Sequence, residues 1–173
     1  MIANLRIKIM MNEDNPIMDA FRIKGIMLSD IEICVCKIIR KTKTGTGFFC
    51  EVPEKNIKLL ITNNHVLDEI YLEQGNIIAY MISKDEIEYH YENDLEKDRY
   101  KLTNKDLDFT IIEILKEDNV NKFLMVNNEP YKIGDEIFSY QYAGCVRLGF
   151  SSGNLLGKED YLLKYNIGTK KGS

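Results

Sequence analysis

The sequence predicts an all-β fold, on three observations. Nine short runs rich in β-branched and aromatic residues follow one another, divided by polar or glycine-bearing turns. Such regular spacing marks a β-sandwich or barrel rather than alternating strand–helix units. Helical signals are slight and confined to two short stretches. The size also fits: 173 residues make one compact unit or two small lobes sharing an interface. A chain of this length buries roughly 70% of the surface its unfolded form exposes.

Residues 1–30 read as an arm with one short helix, in which Asn15-Pro16 caps a turn carrying Ile17 and Phe21 at i, i+4. Ile31, Ile33 and Val35 alternate with Glu32 and two cysteines and read as the first strand. Thr44-Gly45-Thr46-Gly47 reads as a hairpin turn feeding a second strand at Phe48-Phe49-Cys50. Lys58-Leu59-Leu60-Ile61-Thr62 is the third run. Asp68 to Gln74, stopped by Gly75, supplies one or two helical turns. Ile77 to Ile82 is the fourth strand, and Ile87, Tyr89 and Tyr91 alternate with charged or polar neighbours as a half-buried fifth. Phe109 to Leu115 is almost wholly apolar and suits a central strand. The polar stretch Asn119 to Pro130 is the expected internal boundary. Ile133 to Tyr142, Val146 to Phe150 and Tyr161 to Ile167 complete the set, without internal repeats or low-complexity segments.

Composition removes several function classes. The chain is 45% hydrophobic and 29% charged, which excludes intrinsic disorder. No apolar run approaches the roughly 20 residues of a membrane helix, so no membrane span is expected. A net charge of −4 argues against phosphate-backbone binding, so a small β-barrel nucleic-acid binder is the weakest of three function classes. The one basic cluster, Lys37, Arg40, Lys41 and Lys43, reads as a solvated hairpin tip. Gly45-Thr46-Gly47 lacks the third glycine of a dinucleotide loop and the Gly-Lys-Ser/Thr of a phosphate loop, so no nucleotide is expected. Cys34, Cys36, Cys50 and Cys145 fit neither a disulfide framework nor a zinc pattern. Cys34 and Cys36 share a face of an extended segment as half of a metal site whose other half is missing, and small buried hydrophobes are the expected role. Neither metal nor cofactor is expected. Arg6 and Lys8 interrupt any signal-peptide core, and no glycosylation sequon occurs, so an intracellular, cytoplasmic setting is expected.

Two histidines bound the search for a base. His90 lies on an alternating strand beside Glu88 and Glu92 and reads as a solvated strand residue. His65 follows an apolar strand directly, in Ile61-Thr62-Asn63-Asn64-His65-Val66-Leu67, where a rigid element can hold it while it reaches solvent. Asp108 stands at the mouth of another apolar strand, in Leu107-Asp108-Phe109-Thr110-Ile111-Ile112. A carboxylate there is costly unless paired, and an imidazole is its natural partner. Asp106 is the nearest rival, in a more polar turn. An Asp holding a His N–H fixes the tautomer and stabilises the imidazolium that forms on proton uptake.

The order of these features resembles the trypsin/chymotrypsin-like serine proteases, in particular minimal trypsin-like peptidase domains. A glycine turn opens an early strand, Thr62-Asn63-Asn64-His65 is similar to the family's Thr-Ala-Ala-His, and an Asp motif follows. The closing Lys171-Gly172-Ser173 is similar to the opening of the family's Gly-x-Ser-Gly nucleophile turn. The resemblance implies a chymotrypsin-like double β-barrel. Residues 31–118 would form a complete first barrel, and 128–173 a partial second one ending at the nucleophile turn. It implies peptide-bond hydrolysis of a polypeptide substrate, with His65 as general base and Asp108 as its orienting partner. Gly172 N–H would be an oxyanion donor, and Thr169 would line the specificity pocket. Gly172 and Ser173 would occupy Gly-x, which puts the nucleophile at the next residue, missing from this sequence. Ser173 as nucleophile would set Lys171 where the family needs a glycine. Val66 stands where secreted members carry a bridging cysteine. The implied function is therefore a serine endopeptidase or a fragment of one; the alternative is a catalytically dead, protease-like peptide-binding or scaffold protein. An open second barrel would expose Leu162, Leu163 and Ile167.

Overall fold

The computed structural model describes residues 31–40, 43–74, 77–84, 87–95, 98–125, 130–143, 147–159 and 162–167. The arm with Ile17 and Phe21, and Lys41, Gly75, Cys145, Thr169, Gly172 and Ser173, lie outside the described residues.

Among the described residues, eleven strands form two sheets, antiparallel but for one pairing. The first holds β1 (Val35–Arg40), β2 (Lys43–Val52), β3 (Ile57–Thr62), β4 (Ile77–Lys84), β5 (Ile87–Asp94), β6 (Lys101–Asn104) and β7 (Phe109–Glu113). They run in the order β5-β4-β1-β2-β3-β7-β6. β8 (Leu124–Met125) joins this sheet by a parallel pairing with β2. β9 (Glu136–Ala143), β10 (Arg147–Glu159) and β11 (Leu162–Tyr165) make the second sheet, with β10 central. One short helix, α1 (Glu69–Glu73), lies between β3 and β4. No helix of the described residues is long and apolar enough to cross a membrane.

Alternation fills the first core. Cys36 and Ile38 of β1, Phe49 of β2, Leu60 of β3, Tyr80 of β4 and Ile112 of β7 meet in one buried cluster with Val66, Leu67 and Leu95. Phe49 sets its ring edge-on to Tyr80 at 5.4 Å. Burying a side chain such as Phe49 or Leu60 stabilises by about 1.5–3 kcal/mol. The two sheets meet through a second cluster, in which Tyr142 of β9 is buried against Val35. There the Tyr142 N–H donates to Thr46 Oγ1 on β2 at 2.9 Å.

Several expectations need correction. The first sheet is not a closed barrel: among the described residues its ends, β5 and β6, share no ladder. Lys101 Nζ of β6 reaches back to the Leu95 carbonyl just after β5 at 2.8 Å. Ahead of β6, buried Arg99 makes a two-pronged pair with Asp118, in the turn after β7, at 2.8 and 3.1 Å. Gly45 and Gly47 are not a turn but the interior of β2. A Cβ on Gly45 would collide with Val66 Cγ2, and one on Gly47 would stand 2.8 Å from Ile38 Cδ1, so close packing demands both glycines. Ile31 and Ile33 precede the first strand, which starts at Val35. Cys34 and Cys36 do not share a face: Cys34 packs with Cys50 and Leu124, Cys36 in the main core. All three are buried, as expected of small hydrophobes, and burial pushes the Cys50 thiol up to about 11.

The stretch from Asn119 to Pro130 is not a bare boundary. β2 outlasts β1, and β8 pairs with its remaining Cys50–Glu51 end. β9 starts at Glu136, three residues later than read, because Tyr131–Asp135 is a turn in which the Lys132 N–H donates to the Asp135 carboxylate at 2.6 Å. β10 runs on through Ser151-Ser152-Gly153-Asn154 to Glu159. Ile167 is buried rather than exposed. Asn154 N–H donates to Asn166 Oδ1 at 2.6 Å, and Gly153 leaves room for Ile167, whose Cγ1 would sit 3.0 Å from an added Cβ. Leu162 is exposed, as expected.

Candidate active site

β3 ends at Thr62, whose hydroxyl donates to the Thr46 carbonyl at 2.9 Å. The chain then makes a single turn, with Val66 N–H and Leu67 N–H both donating to the Asn63 carbonyl at 3.1 Å. Val66 and Leu67 are buried in the core, while the His65 side chain between Asn64 and them stays 60% exposed. Two apolar anchors thus fix the turn while its histidine faces outward.

A directional chain of hydrogen bonds ties this turn to β6 and β7. Asn64 Nδ2 donates to Thr103 Oγ1 at 2.6 Å, Thr103 and Thr110 hydroxyls meet at 2.8 Å, and Thr110 Oγ1 donates to the Leu67 carbonyl at 2.6 Å. Thr110 is fully buried, so its hydroxyl needs these partners. Asp68 closes the other side. It caps α1 by accepting from Tyr71 N–H at 3.0 Å, and its Oδ2 takes Arg40 at 2.9 Å and Lys43 at 3.5 Å. Arg40 lies over the Tyr71 ring, 4.3 Å from its centroid. At the basic hairpin tip Arg40 and Lys43 are thus drawn onto Asp68, while the Lys43 side chain remains exposed. The Arg40 bond comes first among the causes that hold the Asp68 carboxyl below its ordinary value, against burial.

Asp108 arrives from a tight turn. Leu107 N–H donates to Asn104 Oδ1 at 2.8 Å, Asp108 N–H to the Lys105 carbonyl at 3.3 Å, and Asp108 itself is left-handed at φ 51°. Aspartate is among the few side chains that visit this region readily. The carboxylate then accepts His65 N–H on Oδ1 at 2.9 Å and faces His65 Nδ1 at 2.8 Å from Oδ2. Asn63 Nδ2 adds a contact at 3.2 Å to Oδ2 and donates to the Asp108 carbonyl at 3.0 Å. Burial pushes the Asp108 carboxyl up, but the bonds from the His65 N–H and ring outweigh it, leaving the group below its ordinary 3.8. An ionised carboxylate only accepts, so His65 Nδ1 carries the proton and Nε2 is the nitrogen left to take one.

The fold thus brings His65 and Asp108 together. Asp106 is exposed in the same turn. His90 is on β5, opposite Met81 of β4. Thr169 and Gly172 lie outside the described residues. Asn63, Asn64, Thr103 and the Arg40–Asp68 pair were not anticipated. The one sequence signal was Asn63-Asn64 ahead of the histidine, two short amides able to reach across to a neighbouring turn.

No family model and no curated protein sequence matches the chain. Solved structures do. Deg5 superposes with a TM-score of 0.60 at 13% identity, over 92% of this chain and 79% of that one. The serine endoprotease from Yersinia pestis gives 0.62 at 12% identity, over 92% of this chain and 52% of that one. The active form of the Rv3671c protease from M. tuberculosis gives 0.54 at 15% identity, over 95% and 75%. The fold is that of the chymotrypsin-like serine proteases, all-β with few helices.

Proposed function

We propose that this chain supplies the His–Asp framework of a serine endopeptidase acting on polypeptide. The observation that supports it most directly is the 2.8 Å contact between His65 Nδ1 and Asp108 Oδ2, at the end of an apolar strand in a protease fold. In this reading His65 Nε2 takes the proton of an attacking serine hydroxyl and later gives it to the leaving amine. Asp108 holds the tautomer and stabilises the imidazolium between the two steps. On the resemblance, the nucleophile is the residue that follows Gly172-Ser173. Its own N–H and that of Gly172 would receive the oxyanion, each such donor being worth about 2.7–4 kcal/mol of barrier. Thr169 would line the specificity pocket.

The test is a fluorophosphonate probe on the protein isolated from its natural source, followed by peptide mapping. Label on a serine adjoining Gly172-Ser173, lost in H65A, is the expected result. A folded protein that takes no label overturns the hydrolytic reading, and leaves a protease fold that holds peptide without cutting it.

A further inference from the structure

β3 and β7 pair antiparallel as far as Thr62 opposite Thr110, and there the main-chain ladder ends. Beyond it the Asn63 side chain carries the pairing on. Its Nδ2 donates to the Asp108 carbonyl at 3.0 Å, as a ladder N–H does inside the sheet, and meets Asp108 Oδ2 at 3.2 Å. A carbonyl and an ionised carboxylate only accept, and an amide nitrogen has two hydrogens, one for each. These two acceptors set nitrogen rather than oxygen on this side of the amide.

Asn63 serves the histidine as well. Its main-chain carbonyl accepts Val66 N–H and Leu67 N–H, both at 3.1 Å, and so closes the turn that carries His65. One residue thus holds the His turn with its main chain and the Asp turn with its side chain. Asp108 needs that hold. It is left-handed at φ 51°, and its own turn keeps its N–H at a long 3.3 Å from the Lys105 carbonyl. A carboxylate rotates easily about χ2, and the ring proton depends on where Oδ2 points, 2.8 Å from Nδ1. The next residue does not share the task, because Asn64 Nδ2 is spent on Thr103 Oγ1 at 2.6 Å.

We propose that Asn63 is a positioning residue for the His65–Asp108 pair: its amide aims the Asp108 carboxylate at the ring, so that Nδ1 rather than Nε2 holds the proton. The role rests on the His–Asp reading above. Asp108 fixes His65, and Asn63, 45 residues ahead of it, fixes Asp108.

The test is nitrogen-15 NMR of the full 173-residue chain at about pH 9, above the ordinary imidazole value of about 6.5. The readout is the ratio of Nδ1–H to Nε2–H tautomers of His65. N63L keeps the shape of the asparagine and loses both donors, and its ratio is expected to fall about tenfold, the worth of one hydrogen bond. N63A is expected to fall as far, since leucine restores bulk but no donor. Neither change removes the main-chain carbonyl that closes the His65 turn, and urea unfolding reports whether each variant is folded. A side chain that only filled the turn would cost stability and leave the ratio where it was. A native ratio in either folded variant overturns the proposal, and one folded variant is enough to decide. A native chain without a protonated Nδ1 overturns the His–Asp reading itself, so the two failures are told apart. Neither readout depends on hydrolysis.

Discussion

Asp108 grips His65 at two points, the main-chain N–H at 2.9 Å and ring Nδ1 at 2.8 Å. One carboxylate therefore fixes both where the residue sits and which ring nitrogen holds the proton. Replacing Asp108 by Asn keeps an acceptor for the main-chain N–H but turns an NH2 toward Nδ1. The ring then adopts the Nε2–H tautomer. Nitrogen-15 NMR of the 173-residue chain is expected to show a protonated Nδ1 in the native protein and a protonated Nε2 in D108N. In a form that carries the nucleophile, fluorophosphonate labelling falls by about 10⁴.

The same contacts set a response to acid. Asp108 and Asp68 are both held below their ordinary value. A depressed carboxyl contributes stability fully above its unfolded pKa, and the contribution is lost as pH falls through the folded value. The Tm gap between the native chain and D68N or D108N is expected to be constant above about pH 5 and to close as pH falls below about 4. A gap that persists at pH 2, read by circular dichroism melting, contradicts the assignment.

Much of the site was legible because each half breaks a local rule. A histidine ending an apolar strand and a carboxylate opening one are both expensive, and each is the other's remedy. What escaped was whatever depends on side chains meeting across strands. Gly45 and Gly47 signal a turn locally, yet they serve the approach of Val66 and Ile38. Ser151-Ser152-Gly153-Asn154 signals a turn too, yet it continues β10, because all four residues pair with β9. Arg40 looks solvated until Asp68, 28 residues on, is brought to it.

Gly45 offers a direct test of the packing behind His65. Its missing Cβ is the space that Val66 fills, one residue from the imidazole. G45A is expected to lower stability by about 1–3 kcal/mol by urea unfolding, as overpacking does. The companion V66A makes room for the added methyl, so G45A/V66A should lose less than the sum of the two single changes.

The Arg99–Asp118 pair ties the segment ahead of β6 to the turn after β7, with side chains only 0% and 4% exposed. R99M leaves the Asp118 carboxylate buried and unpaired, a loss of about 3–5 kcal/mol. Adding D118N removes that charge while keeping an acceptor for the Leu115 N–H, which Asp118 now holds at 2.7 Å. The double variant is expected to regain more than half of the loss, measured by urea unfolding.

Thr46 is where the second sheet is fastened to the strand that carries His65. Its hydroxyl oxygen accepts Tyr142 N–H at 2.9 Å, and its carbonyl accepts the Thr62 hydroxyl at 2.9 Å, three residues before the histidine. T46V keeps the shape and the carbonyl but takes the acceptor from a main-chain N–H at a buried tyrosine. The expected cost is about 1–3 kcal/mol, the desolvation penalty of one orphaned donor. T46S, which restores the oxygen, should recover nearly all of it. The distinguishing readout is amide exchange at Tyr142, which quickens in T46V and not in T46S. If the two sheets were held by the Val35–Tyr142 contact alone, Tyr142 exchange would be the same in both variants, and the hydrogen bond would have no part in joining the lobes.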